Sequence, residues 1–148
     1  MRYWDTSALS KLCFPEADSA WYLSELGSAS EPAFTSEIAE VELYSTLWRK
    51  ERDRSLVLGE ARLRFALFES FCRRGTIILA PCDVRIIEES KRIAAVAYGQ
   101  VTPILIRSLD LIHVASASVV RADMIVSADK RMRALASVLN MKVLPEAQ

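Results

Sequence analysis

One histidine and three cysteines in 148 residues leave this sequence poor in the side chains that build soft-metal sites and disulfide frameworks. Cys13, Cys72 and Cys82 are odd in number and show no CxxC spacing, and His113 has no second histidine to join it. That usage argues against a zinc finger and against a stapled secreted scaffold, and it fits a reducing cytoplasm. An excess of charge of one sign is also lacking. Lysine plus arginine and aspartate plus glutamate each number 19, so no whole-molecule positive field holds a nucleic acid. Such a partner has to be gripped by local patches. No apolar run approaches the roughly 18 residues that a membrane span needs, and no basic-then-apolar leader precedes the first apolar stretch. The expectation is a soluble, unexported protein.

What is present is a 51% hydrophobic fraction beside 26% charged residues, the balance of one globular domain over residues 1–148 with a substantial core. Met1-Arg2-Tyr3-Trp4 reads as a short buried strand, ended by Asp5 and then by Thr6 and Ser7, two hydroxyls able to cap a helix. Further strands are predicted over Pro32 to Thr35, Thr76 to Ala80, Met124 to Ser127 and Met141 to Leu144. Helices are predicted to about Phe14, from Glu16 to about Leu26, Glu37 to about Asp53, Ser55 to Arg74, from an Asp83 cap to about Tyr98, Leu109 to about Val120 behind a Ser108 cap, and Ala128 to Leu139. Gly75 stops the fourth of these, and Pro103 breaks the stretch from Gly99 to Arg107 into loop. Strands alternating with helices build βαβ units, hence an α/β fold on a parallel sheet covered on both faces.

Several acids do not suit their surroundings. Asp5 sits at the carboxyl end of the first strand, where α/β sheets bind ligands, although a plain helix cap is also a reading. Asp129 repeats the device after Met124 to Val126. Asp110 lies in the first turn of a helix apolar on nearly every side, and a buried carboxylate needs a partner, a cap or a metal. Arg107 is one candidate partner, and the helix macrodipole another source of support. On the helix from Glu37, three acids compete, Glu37, Glu40 and Glu42, and periodicity does not separate Glu40 from Glu42. Asp123, at the opposite end of its strand, reads as a turn residue.

Asp5-Thr6-Ser7-Ala8-Leu9, Thr35-Ser36 with Glu42-Leu43, Asp110-Leu111-Ile112-His113-Val114-Ala115-Ser116-Ala117 and Ile125-Val126-Ser127-Ala128-Asp129-Lys130-Arg131 resemble, in order, the motifs of PIN-domain ribonucleases. Within that family they are most similar to VapC-type toxins of toxin–antitoxin pairs. The resemblance spans nearly the whole chain. It implies a Rossmann-like sheet in strand order 3-2-1-4-5, favours Glu42 over Glu40, and implies that Asp5, Glu42, Asp110 and Asp129 are the catalytic, metal-holding acids. It further implies an antitoxin partner and a homodimer. The segment from Tyr98 to Arg107 departs from the family pattern in length and in its β-branched content.

Hydrolysis of an RNA phosphodiester needs an activated water and neutralised phosphoryl charge, which Mg²⁺ or Mn²⁺ supplies through oxygen ligands. Thr6 and Ser127 are expected behind the ligands as polar supports, and Lys130 and Arg131, directly after Asp129, as RNA contacts. The basic run Trp48 to Arg54 reads as a solvated face, and His113 as a packed histidine ahead of a group that orients Asp110 or meets phosphate. Trp21, Tyr22, Leu23, Leu26, Tyr44, Leu47 and Trp48 exceed what one small core needs, so a groove or self-interface is expected there. Two other readings are weighed. A phospho-acceptor receiver domain lacks here the paired acids and late lysine it requires, and a non-catalytic PIN-like RNA- or protein-binding module has no use for four such acids. Repulsion among the four predicts that neutralising one stabilises the metal-free protein.

Overall fold

The computed structural model describes residues 1–146. Five strands, β1 (Arg2–Trp4), β2 (Ala33–Ser36), β3 (Ile77–Ala80), β4 (Met124–Val126) and β5 (Lys142–Leu144), form one all-parallel sheet in the order β3-β2-β1-β4-β5. Seven helices among the described residues connect them: α1 (Thr6–Cys13), α2 (Ser19–Gly27), α3 (Ile38–Arg52), α4 (Glu60–Arg73), α5 (Val84–Tyr98), α6 (Ser108–Val119) and α7 (Lys130–Val138). The α/β class and the strand order are those expected. β1 is central, with Tyr3 opposite Ile125 and Trp4 opposite Val126 on β4.

The period of two along a strand sends neighbouring side chains to opposite faces. Trp4 and Val126 pack under α1 to α4 with Leu9, Tyr22, Leu43, Leu47 and Phe68. Tyr3 and Ile125 pack under α5 to α7 with Ile86, Ile93, Val114 and Leu135. Both faces are covered, as parallel sheets require.

Helix ends explain how the chain re-enters the sheet. After α4, Gly75 takes a left-handed φ of 70°, its N–H bonds to Cys72 O, and Thr76 N–H bonds to Phe71 O. This closing motif is repeated by Arg121 (φ 57°) after α6 and by Asn140 (φ 59°) after α7. Each aims the chain into the next strand.

Some boundaries differ from expectation. α2 begins at Ser19, because Ser19 Oγ accepts from Glu16 N and donates to Phe14 O, folding Pro15 to Asp18 into a turn. α4 begins at Glu60, not Ser55. Arg54 and Gly59 adopt left-handed backbone, which no helix accommodates, and the buried Glu51 carboxylate accepts from Ala61 N at 2.8 Å in place of a local cap. Ser108 is the first residue of α6 and not its cap; Arg107 holds that position without a side-chain bond. The aromatic surplus near α2 and α3 is mostly core, since Tyr22, Leu26 and Leu47 are buried and Trp21 and Trp48 pack against them. Leu23 and Tyr44 alone of that group are exposed.

Candidate active site

The carboxyl ends of β1 and β4 lie side by side, and each releases its chain through an aspartate that caps the next helix. Asp5 Oδ1 accepts from Ala8 N at 2.8 Å, and Asp129 Oδ1 accepts from Arg131 N and Met132 N at 2.8 and 3.0 Å. Capping, expected of Thr6 and Ser7, belongs to the acids. The hydroxyls stitch the strand ends together. Ser7 Oγ donates to both Asp5 oxygens at 2.8 Å and accepts from Ala128 N at 2.8 Å. Ser127 Oγ donates to Asp5 Oδ2 at 2.7 Å and accepts from Asp129 N at 3.0 Å. Asp5 is 1% exposed, and this burial pushes its pKa up against the opposing pull of His113 and of its hydrogen bonds from Ala8, Ser127 and Ser7.

A cleft of about 500 Å³ opens over these ends. Asp5, Glu42, Asp110 and Asp129 all line it, so four elements far apart in sequence bring the four acids to one place. On α3 the wall is the stripe Glu42, Ser45, Thr46, Arg49, at the i, i+3, i+4, i+7 spacing of one helix face, while Ala39, Leu43 and Leu47 bury the adjoining face. Glu40 and Glu37 are off that stripe; Glu37 instead accepts from Cys82 N. The geometry thus separates Glu42 from Glu40 where periodicity did not.

Glu42 is held from behind. Its Oε2 accepts from Thr6 Oγ1 at 2.6 Å and lies 2.6 Å from His113 Nε2, and His113 Nδ1 lies 2.8 Å from Tyr3 OH. Burial would raise the Glu42 pKa, but the bonds from His113 and Thr6 outweigh it and hold the carboxyl below its ordinary value. A carboxylate only accepts, so Nε2 carries the proton toward Glu42. Burial pushes the Tyr3 phenol far above its ordinary pKa, which keeps it neutral and able to donate to Nδ1. His113 is therefore packed, at 1% exposure, and at the same time part of the cleft wall. It faces Glu42, not Asp110. Its place one turn beyond Asp110 was visible in sequence; its partner was not.

Asp110 accepts no side-chain bond from the described residues. Its pKa is raised, first by burial, then by Asp129 and more weakly by Glu42, while the Arg107 backbone and charge pull the other way. Arg107 forms no ion pair with it. Oε1 of Glu42 and Oδ2 of Asp129 are likewise left without donors among the described residues.

The family profile of the PIN domain matches residues 2–138. The chain belongs to the PIN domain family. A crystal structure of FitAcB from Neisseria gonorrhoeae superposes with a TM-score of 0.62 at 16% identity, covering 97% of this chain and 96% of that one. At that identity the likeness speaks for the fold. No curated protein matches the sequence significantly.

Among the described residues of this PIN domain, no three histidine, cysteine, aspartate or glutamate side chains are gathered closely enough to hold a metal ion. The chemistry of the donor set still suits a hard cation, since the cleft offers carboxylate oxygens, three of these acids retain uncommitted ones, and mutual repulsion raises Asp110. Lys130 and Arg131, expected to meet RNA, do not line the cleft. Both are exposed on the first turn of α7, and Arg131 donates to Leu105 O at 3.3 Å. The next basic residue, Arg133, is spent on the carbonyls of Ser127, Leu144 and Pro145. Arg49 and Arg107 are the basic residues of the cleft wall.

Proposed function

We propose that this chain is a Mg²⁺- or Mn²⁺-dependent endoribonuclease acting as the toxin of a type II toxin–antitoxin pair. PIN domains are generally nucleases, and the convergence of Asp5, Glu42, Asp110 and Asp129 on one cleft is the observation that carries the catalytic reading. A hard divalent cation supplies, when bound, charge neutralisation at the phosphate and acidification of a water. Asp110, Glu42 through Oε1 and Asp129 through Oδ2 would hold it directly or through water, and Asp5 would add the one lone pair left free because the single Ser7 proton reaches only one of its two oxygens at a time. Thr6 and His113 fix Glu42 from behind, and Ser127 fixes Asp5. Supports of this kind keep anionic ligands aimed at a shared point.

The toxin assignment, the cognate antitoxin, the homodimer and a cytoplasmic location rest on the motif resemblance to VapC-type toxins. In keeping with it, no helix among the described residues is long and apolar enough to cross a membrane. The alternative is a non-catalytic PIN-like module that retains RNA or protein without cutting. Purified protein incubated with RNA in Mg²⁺, Mn²⁺, Ca²⁺ or EDTA separates them. The nuclease reading expects cleavage in the first two and none in the last two, lost again in Asp110→Asn. Undiminished cutting in EDTA by nuclease-free protein, or retention of RNA without cutting in Mg²⁺ and Mn²⁺, sinks it.

A further inference from the structure

From the placement of two arginines we infer that the α3 stripe and the loop before α6 form a binding track for the phosphates of single-stranded RNA, with Arg49 and Arg107 gripping the backbone on opposite walls of the acid cleft. The inference rests on the ribonuclease reading and deepens it. Arg49 and Arg107 both line the cleft and both are exposed, yet neither forms an ion pair among the described residues, although four carboxylates share the same walls. Arg49 bonds only to the Thr46 hydroxyl, at 3.4 Å. Most other basic residues near the sheet ends are committed elsewhere, Lys11 to Glu16 and Asp18, Lys50 to Glu16, Arg133 to three carbonyls. A guanidinium left unpaired beside an anionic pocket is available to a second anion, and its planar fork matches a phosphate.

The spacing fits a chain of phosphates. Arg49 stands seven residues beyond Glu42 on the same helix face, about 10 Å at 1.5 Å per residue, roughly two nucleotide steps of an extended strand. Ser45 and Thr46 fill the interval with hydroxyls. Arg107 precedes Asp110 by three residues in extended backbone and closes the other wall. A cleft of about 500 Å³ is of small-molecule size, the scale of a nucleotide unit or two. Because the two arginines are exposed while Asp5 is buried and Glu42, Asp110 and Asp129 are half-buried in the same lining, a strand held by both arginines brings an intervening phosphodiester toward the acids.

Salt dependence of binding reads the track directly. A fluorescently labelled, mixed-sequence single-stranded RNA is titrated with full-length protein in Ca²⁺ over a series of KCl concentrations, and cleavage is followed separately in Mg²⁺. Each lost phosphate contact on single strands lowers the slope of log K against log salt by about 0.7, so Arg49→Gln/Arg107→Gln is expected to lose about 1.4. In cleavage KM is expected to rise about tenfold or more with kcat nearly kept, and the melting temperature to hold. Arg52→Gln removes the same charge one turn further along α3, beyond the residues that line the cleft, and is expected to leave the slope close to wild type. Equal slopes for wild type and the double variant, or equal losses for Arg49→Gln and Arg52→Gln, overturn the track while leaving a cutting wild type as a nuclease. A wild type that neither binds nor cuts RNA overturns the ribonuclease reading itself, and the track with it.

Discussion

Asp110→Asn should make the protein more stable in the absence of divalent cation while abolishing cleavage. Asp110 is the least supported acid of the cleft, partly exposed, with no side-chain donor, and its pKa is raised first by burial and then by Asp129 and Glu42. It also gains from its place in the first turn of α6, but the upward shift means that the unfavourable contributions win. A folded-state pKa above the unfolded one means that the native protein binds more protons between the two values. Stability from this group is full below about pH 4 and falls as pH rises through the folded pKa. Solvent screening of a partly exposed group keeps the effect at about 0.5–1 kcal/mol. For a chain of this length that is roughly 1–4 °C in melting temperature. Thermal melts of wild type and variant in EDTA from pH 4 to pH 8 should therefore diverge with rising pH, with the variant above. Mg²⁺ should raise wild type and erase the gap. Asp5 provides the contrast, because Asp5→Ala removes the α1 cap and orphans the Ser127 and Ser7 hydroxyls, a loss of about 2–4 kcal/mol. If Asp110→Asn melts below wild type in EDTA throughout that range, burial and the neighbouring acids do not disfavour the Asp110 charge and the clustered-site reasoning fails.

Glu42→Gln should reduce both Mn²⁺ affinity by calorimetry and cleavage rate by about 10–100-fold, whereas Glu40→Gln, off the cleft stripe, should leave both near wild type; the reverse ranking would show that the wrong acid was chosen. His113→Phe takes the Tyr3 hydroxyl's His113 partner away and leaves Glu42 Oε2 with Thr6 alone, and should cost about 2–3 kcal/mol in denaturant melts; an unchanged midpoint would mean that the buried hydrogen-bond chain contributes nothing. Arg121→Gly relieves a side chain held at φ 57° in the turn into β4, and should stabilise by about 0.5–1 kcal/mol after the added freedom of the unfolded chain is counted. A lower midpoint for that variant would locate the Arg121 contribution in contacts of its side chain.

The strand and helix alternation, the five-strand order implied by the motif resemblance, and the paired device of an aspartate after β1 and after β4 were legible in the sequence, because each rests on neighbours a few residues apart. Hydrophobic period, helix stops such as Gly75 and the Asp83 cap act locally, so a linear reading finds them. Asp5, Asp110 and Asp129 stood out against their own local surroundings, and the motif resemblance completed the four with Glu42. Which acid of α3 faces the cleft was a different kind of question. Glu40 and Glu42 look alike along the helix, and only the burial of Leu43 and Leu47 against the sheet turns the Glu42, Ser45, Thr46, Arg49 stripe outward to the cleft. The start of α4 went unseen because its N-terminal donor is satisfied by Glu51, a residue of the preceding helix. His113 and Glu42 are 71 residues apart, and Ser127 and Asp5 122 apart; no local signal records such bonds. The basic residues tell the same story. Lys130 and Arg131 were chosen for being next to Asp129 in sequence, but a helix advances 1.5 Å per residue and turns 100°, so adjacency along α7 carries them out of the cleft. Arg49, on the helix that follows β2, and Arg107, in the segment between α5 and α6, are distant in sequence and reach it only because tertiary packing brings those two elements to one cleft.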